Sequence, residues 1–125
     1  MTTTINPVVH FSDVEAGAQF LTKAFGFVQH AAHKDPEGAI QYVEMSLNGA
    51  PLGFGPKNEG SIFDTGPSVV YISLDEVDGM HDRAVAAGVE ILMPPTDQAY
   101  GSRDFVAKDH EGNVWCFGTF HPGAA

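Results

Sequence analysis

Cysteine is nearly missing from this chain. Cys116 is the only one, so no intrachain disulfide can form and a reducing compartment is the simple expectation. Basic residues are scarce as well: six Lys and Arg stand against sixteen Asp and Glu, for a formal net charge of −10. That balance excludes nucleic acid as a partner, because recognising a polyanion needs a basic patch. It favours neutral or cationic partners and says nothing of fold. No run of about eighteen apolar residues occurs, so no segment is expected to span a membrane. Met1 to Pro7 carry neither the basic run nor the apolar run of a secretory leader, which makes a cytoplasmic protein the expectation. A Gly-rich phosphate loop and a Gly-x-Ser-x-Gly elbow are also lacking. None of the six histidines is spaced to pair with a nucleophile.

What the chain does contain is a repeat. Asp13 and Asp75 are each followed thirteen residues later by a glycine, Gly26 and Gly88. Gly49-Ala-Pro-Leu-Gly-Phe-Gly55 aligns with Gly112-Asn-Val-Trp-Cys-Phe-Gly118 at a spacing of sixty-three, so Leu52 matches Trp115 and Phe54 matches Phe117. Two diverged copies of one supersecondary unit explain this. With 125 residues the chain is expected to form a single domain burying about two thirds of its unfolded surface.

Periodicity fills in each copy. Residues 7–11 read as a strand, and Ser12 or Asp13 caps a helix with Val14, Ala18, Leu21 and Phe25 at helical spacing, ended by Gly26. Residues 27–33 look extended. Val43, Met45 and Leu47 alternate with Tyr42, Glu44 and Ser46, and Asn48-Gly49 predicts a hairpin into Pro51–Gly55. Residues 56–67 are polar and aperiodic and read as a linker. The order then recurs, with a strand at Val70–Leu74 and a helix capped by Asp75 with Val77, Met80 and Ala84 on one face. Residues 89–93 follow, stopped by Pro94-Pro95, and then a hairpin joins 102–108 to 113–120. The fold class is α+β, two tandem βαβββ modules at about 5–55 and 68–120.

These two copies, the Phe25-Gly26-Phe27 junction, Lys108-Asp-His-Glu-Gly-Asn113 and the run Tyr100-Gly-Ser-Arg-Asp-Phe105 resemble the vicinal-oxygen-chelate superfamily over residues 5–120. That family includes glyoxalase I, fosfomycin-resistance enzymes, extradiol dioxygenases and bleomycin-resistance proteins. The resemblance implies curved half-barrel sheets with helices on the convex face and a cavity enclosed by paired half-barrels. It also implies a two-fold homodimer, in which a cavity joins the first copy of one chain to the second copy of its partner. Closed pairing of this kind also covers sheet edges.

Metal-dependent members take ligands from the first and last strand of each copy, at positions that correspond to Asn6, Gly53, Val69 and Cys116. Imidazole and carboxylate donors are missing there, and one thiol cannot hold a metal alone. No metal and no cofactor are expected. With Cys116 at a ligand position, strand alternation sends His10, Tyr42, Glu44, Tyr71, Asp104 and Val106 to the cavity with it, along with Val8 and Ser73. Trp115 and Phe117, like Phe105 and Ala107, fall to the core. Two tyrosines, a histidine and two carboxylates suit a small organic ligand. Buried without a cation, Glu44 or Asp104 would rise in pKa and could act as acid or base; alternatively, each bonds a neighbouring Tyr, Arg103 or Lys108. His30 and His33 read as solvated edge residues. Three functions remain in view. One is a metal-free binder that sequesters a planar or cationic natural-product antibiotic. Another is a lyase, isomerase or dioxygenase-type enzyme that uses a recruited metal or a cavity carboxylate. The third is an interaction protein with a vestigial cavity.

Overall fold

The computed structural model describes Thr3 and residues 5–121. Contacts divide the chain at Pro67/Ser68, into units Met1–Pro67 and Ser68–Ala125.

In the first unit, β1 (Val8–Phe11), α1 (Val14–Phe25), β2 (Val28–Lys34), β3 (Ile40–Leu47) and β4 (Ala50–Pro56) form one four-stranded sheet in the order β1-β4-β3-β2. β1 runs parallel to β4, and the other pairings are antiparallel. Asp13 starts α1, its Oδ1 accepting the Ala16 N–H at 3.1 Å. Gly26 ends the helix at φ 82°, a conformation in which a Cβ would clash. The helix lies on the sheet through Gly17: a Cβ there would come within 2.5 Å of the Phe11 ring. Alternation follows from that seat. Val9, Phe11, Val43, Met45, Leu52 and Phe54 are buried, while Val8, His10, Tyr42 and Glu44 occupy the opposite, open face. Asn48 and Gly49, at φ 51° and 84°, make the tight turn expected between β3 and β4.

The second unit repeats the plan with β5 (Val69–Ser73), α2 (Val77–Ala86), β6 (Glu90–Asp97), β7 (Arg103–Lys108) and β8 (Val114–Gly118), in the order β5-β8-β7-β6. Phe105 stacks on Phe117 at 4.8 Å, and His81 of α2 meets Phe105 edge-on at 5.4 Å. Trp115 is a core residue with no exposure, and its indole N–H donates to Asp109 Oδ2 at 2.9 Å. Asp109 organises the turn before β8. It also accepts from the N–H groups of Glu111 and Asn113 and from Asn113 Nδ2, all at 2.9–3.0 Å. Asn113 Oδ1 in turn takes the Ser68 N–H at 2.8 Å, tying the turn to the start of β5.

Three expectations are corrected. The N-cap of α2 is Glu76 rather than Asp75, and its side chain makes no capping bond. Pro94-Pro95 does not end the sixth strand, which runs on to Asp97. β6 is an edge strand with irregular pairing between Met93 and Thr96, where a missing N–H removes little from the ladder. The last strand is also shorter than expected, ending at Gly118.

Candidate functional site

On the open face of the first sheet lies a cavity of about 460 Å³. Val8 and His10 of β1, Tyr42 of β3 and Gly55 at the end of β4 form its floor, with Phe63 and Thr65 at its rim. Tyr42 can lie flat because β4 carries Gly53 beneath it. A Cβ at Gly53 would stand 2.0 Å from the Tyr42 hydroxyl. His10 and Tyr42 are therefore brought together, as the alternation requires. Glu44 shares their face but does not line the cavity. It is half exposed and pairs with His33 Nε2 at 2.8 Å, while His30 Nε2 bonds Ser46 Oγ at 2.6 Å. Both histidines are exposed. Phe63 and Thr65 escaped detection, because they belong to the aperiodic segment read as a linker.

Tyr71, Asp104, Val106 and Cys116 lie on the open face of the second sheet. Val106 and Tyr71 each stand in register with Cys116. Tyr71 and Asp104 meet directly: the Tyr71 hydroxyl donates to Asp104 Oδ1 at 2.9 Å. Two further donors went unrecognised. Ser102 Oγ donates to the same oxygen at 2.6 Å, and the Tyr100 hydroxyl donates to Oδ2. Ser102 shares the alternation of Asp104, but Tyr100 reaches the cluster from the turn before β7, where Gly101 has φ 98° and alternation gives no signal. Gly118 makes room for the cluster, as a Cβ there would sit 1.9 Å from Asp104 Oδ1 and 2.1 Å from the Tyr71 hydroxyl.

Of the two expectations for Asp104, the structure selects the carboxylate bonded to neighbouring tyrosines. Asp104 is 5% exposed, and burial alone would raise its pKa. Hydrogen bonds from Ser102, Tyr100 and Tyr71 outweigh that and hold the carboxyl below its ordinary value. It is thus ionised near neutrality and accepts three hydrogen bonds across both oxygens, which suits neither a general acid nor a strong base. The cost falls on the phenols. The bond to Asp104 pushes Tyr100 up to about 12, and burial, with the Asp104 charge, raises Tyr71. Burial, then the same charge, raises the Cys116 thiol. Arg103 takes no part, because it pairs with Asp78 at 2.9 Å and Asp97 at 3.1 Å.

Residues 5–117 match the Glyoxalase/Bleomycin resistance protein/Dioxygenase superfamily. The chain belongs to that superfamily. Uncharacterized proteins of Mycobacterium bovis and Mycobacterium tuberculosis are each 26% identical to it over 124 residues, covering 91% of this chain and 81% and 72% of their own lengths. Among solved structures, TioX from Micromonospora sp. ML1 superposes with a TM-score of 0.79 at 22% identity, covering 94% of this chain and 98% of its own. Lactoylglutathione lyase from Agrobacterium tumefaciens gives 0.73 at 21%, covering 94% and 93%. At such identities the likeness carries the fold, and the site must speak for function.

The superfamily's metal chemistry meets an ill-suited donor set here. Asn6 and Val69 present an amide and an isopropyl group where imidazole or carboxylate is needed. At Gly53 the space a ligand side chain would enter is taken by the Tyr42 hydroxyl. Cys116 alone remains, its thiol held protonated by burial. Among the described residues no group of three or more His, Cys, Asp or Glu is placed to hold a metal. Nor, among them, is any helix long and apolar enough to cross a membrane.

Proposed function

We propose that this protein is a metal-independent small-molecule binder of the bleomycin-resistance type, a homodimer that sequesters a planar or cationic natural-product antibiotic and releases it unchanged. The observation that carries the reading is the cavity on the first sheet. Its volume of about 460 Å³ falls within the range of small-molecule sites, and an aromatic floor and rim, Tyr42 and Phe63, accompany one polar ring, His10. Tyrosine and phenylalanine offer flat area with little conformational freedom to lose, which suits a planar ligand. The Gly53–Tyr42 contact supports the metal-independent form, because the ring and a metal ligand compete for one space. On the second sheet, Tyr71 and Asp104 add a negatively charged, aromatic contact, with Val106 and Cys116 beside them.

Calorimetry of the purified protein against polyaromatic and glycopeptide antibiotics, with mass analysis of the recovered ligand, tests this reading. Binding of a polyaromatic compound should survive treatment with a chelator. It should weaken about tenfold in Tyr42→Ala, the loss expected when an aromatic contact is removed. An altered product would move the protein to the lyase, isomerase or dioxygenase class. Affinity indifferent to Tyr42 would discard the first-sheet cavity as the site.

A further inference from the structure

Phe120, just beyond β8, stands against both tyrosines of the Asp104 cluster. Its ring centroid lies 6.4 Å from that of Tyr71, at 77°, and 6.4 Å from that of Tyr100, at 89°. The rings are open to solvent, with exposures of 38% for Tyr71, 67% for Tyr100 and 50% for Phe120. Their positions are nonetheless fixed. The Phe120 N–H donates to Ser102 Oγ at 3.1 Å, its carbonyl accepts from Ser73 Oγ, and both tyrosine hydroxyls end on Asp104. The result is three accessible aromatic rings, near-perpendicular where they meet, two of which end on one buried anion.

We propose that Tyr71, Tyr100 and Phe120, with the Asp104 carboxylate where the two tyrosine hydroxyls converge, form a site for an N-alkylated ammonium group of a small organic molecule. This deepens the binding function proposed above by naming the chemistry the second sheet would recognise. It rests on that reading only in treating the open face as a binding face.

Charge and hydrogen bonding select this class together. Asp104 is partnered by hydroxyls and not by a cation, since the adjacent Arg103 is held by Asp78 and Asp97. Its charge therefore remains available as a field. A primary ammonium or a guanidinium needs free acceptors, and the carboxylate, 5% exposed and bonded at both oxygens, has little to offer one. A quaternary or fully alkylated nitrogen donates nothing and loses nothing there. It needs instead aromatic faces and negative potential, the two things this cluster supplies. Donation of both phenols to a carboxylate also shifts electron density into their rings, which strengthens the attraction of each face for a cation.

Titration with choline, followed by NMR of the aromatic resonances in the intact protein, tests the assignment. Dimethylbutanol, the neutral carbon isostere, and n-butylammonium serve as comparison ligands. Choline should bind about tenfold tighter than either, and Phe120→Ala should remove about that factor. Asp104→Asn should do the same. Tyr100→Phe keeps the ring, removes one of the three hydroxyls bonded to Asp104 and should weaken choline about threefold, so the test survives if Asp104→Asn does not fold. Equal binding of dimethylbutanol would reduce the site to an apolar contact and overturn the proposal. So would equal binding of butylammonium, or no choline response in folded protein. Sedimentation with phosphatidylcholine vesicles should leave the protein in solution, and capture by them would overturn the assignment to a free small molecule. Loss of choline binding with polyaromatic binding intact would sink this inference alone. The reverse result would sink the first-sheet cavity alone.

Discussion

The two sheets share topology and turn position, yet they use the space above their last strands in opposite ways. In the first, Gly53 lets the Tyr42 ring lie down over β4 and leaves an open cavity beside it. In the second, the residue equivalent to Gly53 is Cys116, and room opens two positions later at Gly118, where Asp104 and the Tyr71 hydroxyl close over the strand. Gly118 has its counterpart in Gly55, so a single exchange, Cys116 for Gly53, accompanies the change from a hollow lined by rings to a packed polar network. The hollow needs no internal bonds, whereas the network must satisfy every donor it buries. Divergence between the copies has therefore specialised one face for shape and the other for charge.

The sharpest contrast should come from the turns that deliver β4 and β8. Asp109 accepts four hydrogen bonds within a buried turn, so Asp109→Ala should lower stability by about 3 kcal/mol or more in urea unfolding. Gly49→Ala, in the two-residue turn of the first unit, should lower it by about 1 kcal/mol, the strain of a Cβ at positive φ. Equal losses would show that the second turn is no more demanding than the first.

A smaller difference separates the two open faces. Asp104→Asn replaces an acceptor with a donor facing hydroxyls and should destabilise by roughly 1–3 kcal/mol near neutral pH. Tyr42→Phe should change stability by about 0.5 kcal/mol or less. The Asp104 effect also carries a pH signature. Its folded pKa lies below the ordinary carboxylate value, so its contribution is complete above that value. As pH falls through the lower folded value the contribution is lost, and wild type and Asp104→Asn should converge in acid. Parallel stability curves would mean that Asp104 is not held ionised.

The smallest effect is spectroscopic. Ultraviolet titration of the phenols should show Tyr100 ionising near pH 12, and Tyr71 above the ordinary tyrosine value. The stabilisation from a raised phenol persists below the ordinary tyrosine pKa and disappears as pH climbs through the folded one. In Asp104→Asn the delayed step should move to lower pH. A Tyr100 step at the ordinary value in the wild type would remove it from the cluster.

Much of this architecture could be read from alternation. Val43 and Met45, Phe105 and Ala107, and Trp115 and Phe117 are buried, as a period of two demands once one face is core. Asn48-Gly49 and Gly26 announced their turns because few residues tolerate positive φ. What escaped was set by contacts distant in sequence or by context. Phe63 joins the first cavity from a segment without periodicity, and no local pattern marks a wall formed by a loop. Pro94 and Pro95 looked like a stop because edge status cannot be known before the strand order is. Glu44 was assigned correctly to a face but not to the cavity, since its bond to His33 depends on how β2 registers against β3. For Asp104 two outcomes stay open in the sequence, a raised pKa or a bond to a neighbouring tyrosine, and only the packing of β5 beside β8 and β7 selects the second. Ser102 opens the expected strand at 102–108, whereas Tyr100 precedes it in a turn that alternation does not reach.

Trp115 carries one more consequence. It is the chain's sole tryptophan, it is fully enclosed in the second unit, and its indole N–H rests on a carboxylate. Emission excited at the red edge of protein absorbance therefore comes from the second unit alone, and the first contributes only tyrosine and phenylalanine signals. Tryptophan fluorescence reads the surroundings of one side chain in the second unit, and no tryptophan reads the ring-lined cavity directly. Following the two halves through one experiment needs a second chromophore, and Tyr42→Trp would place it at the edge of that cavity.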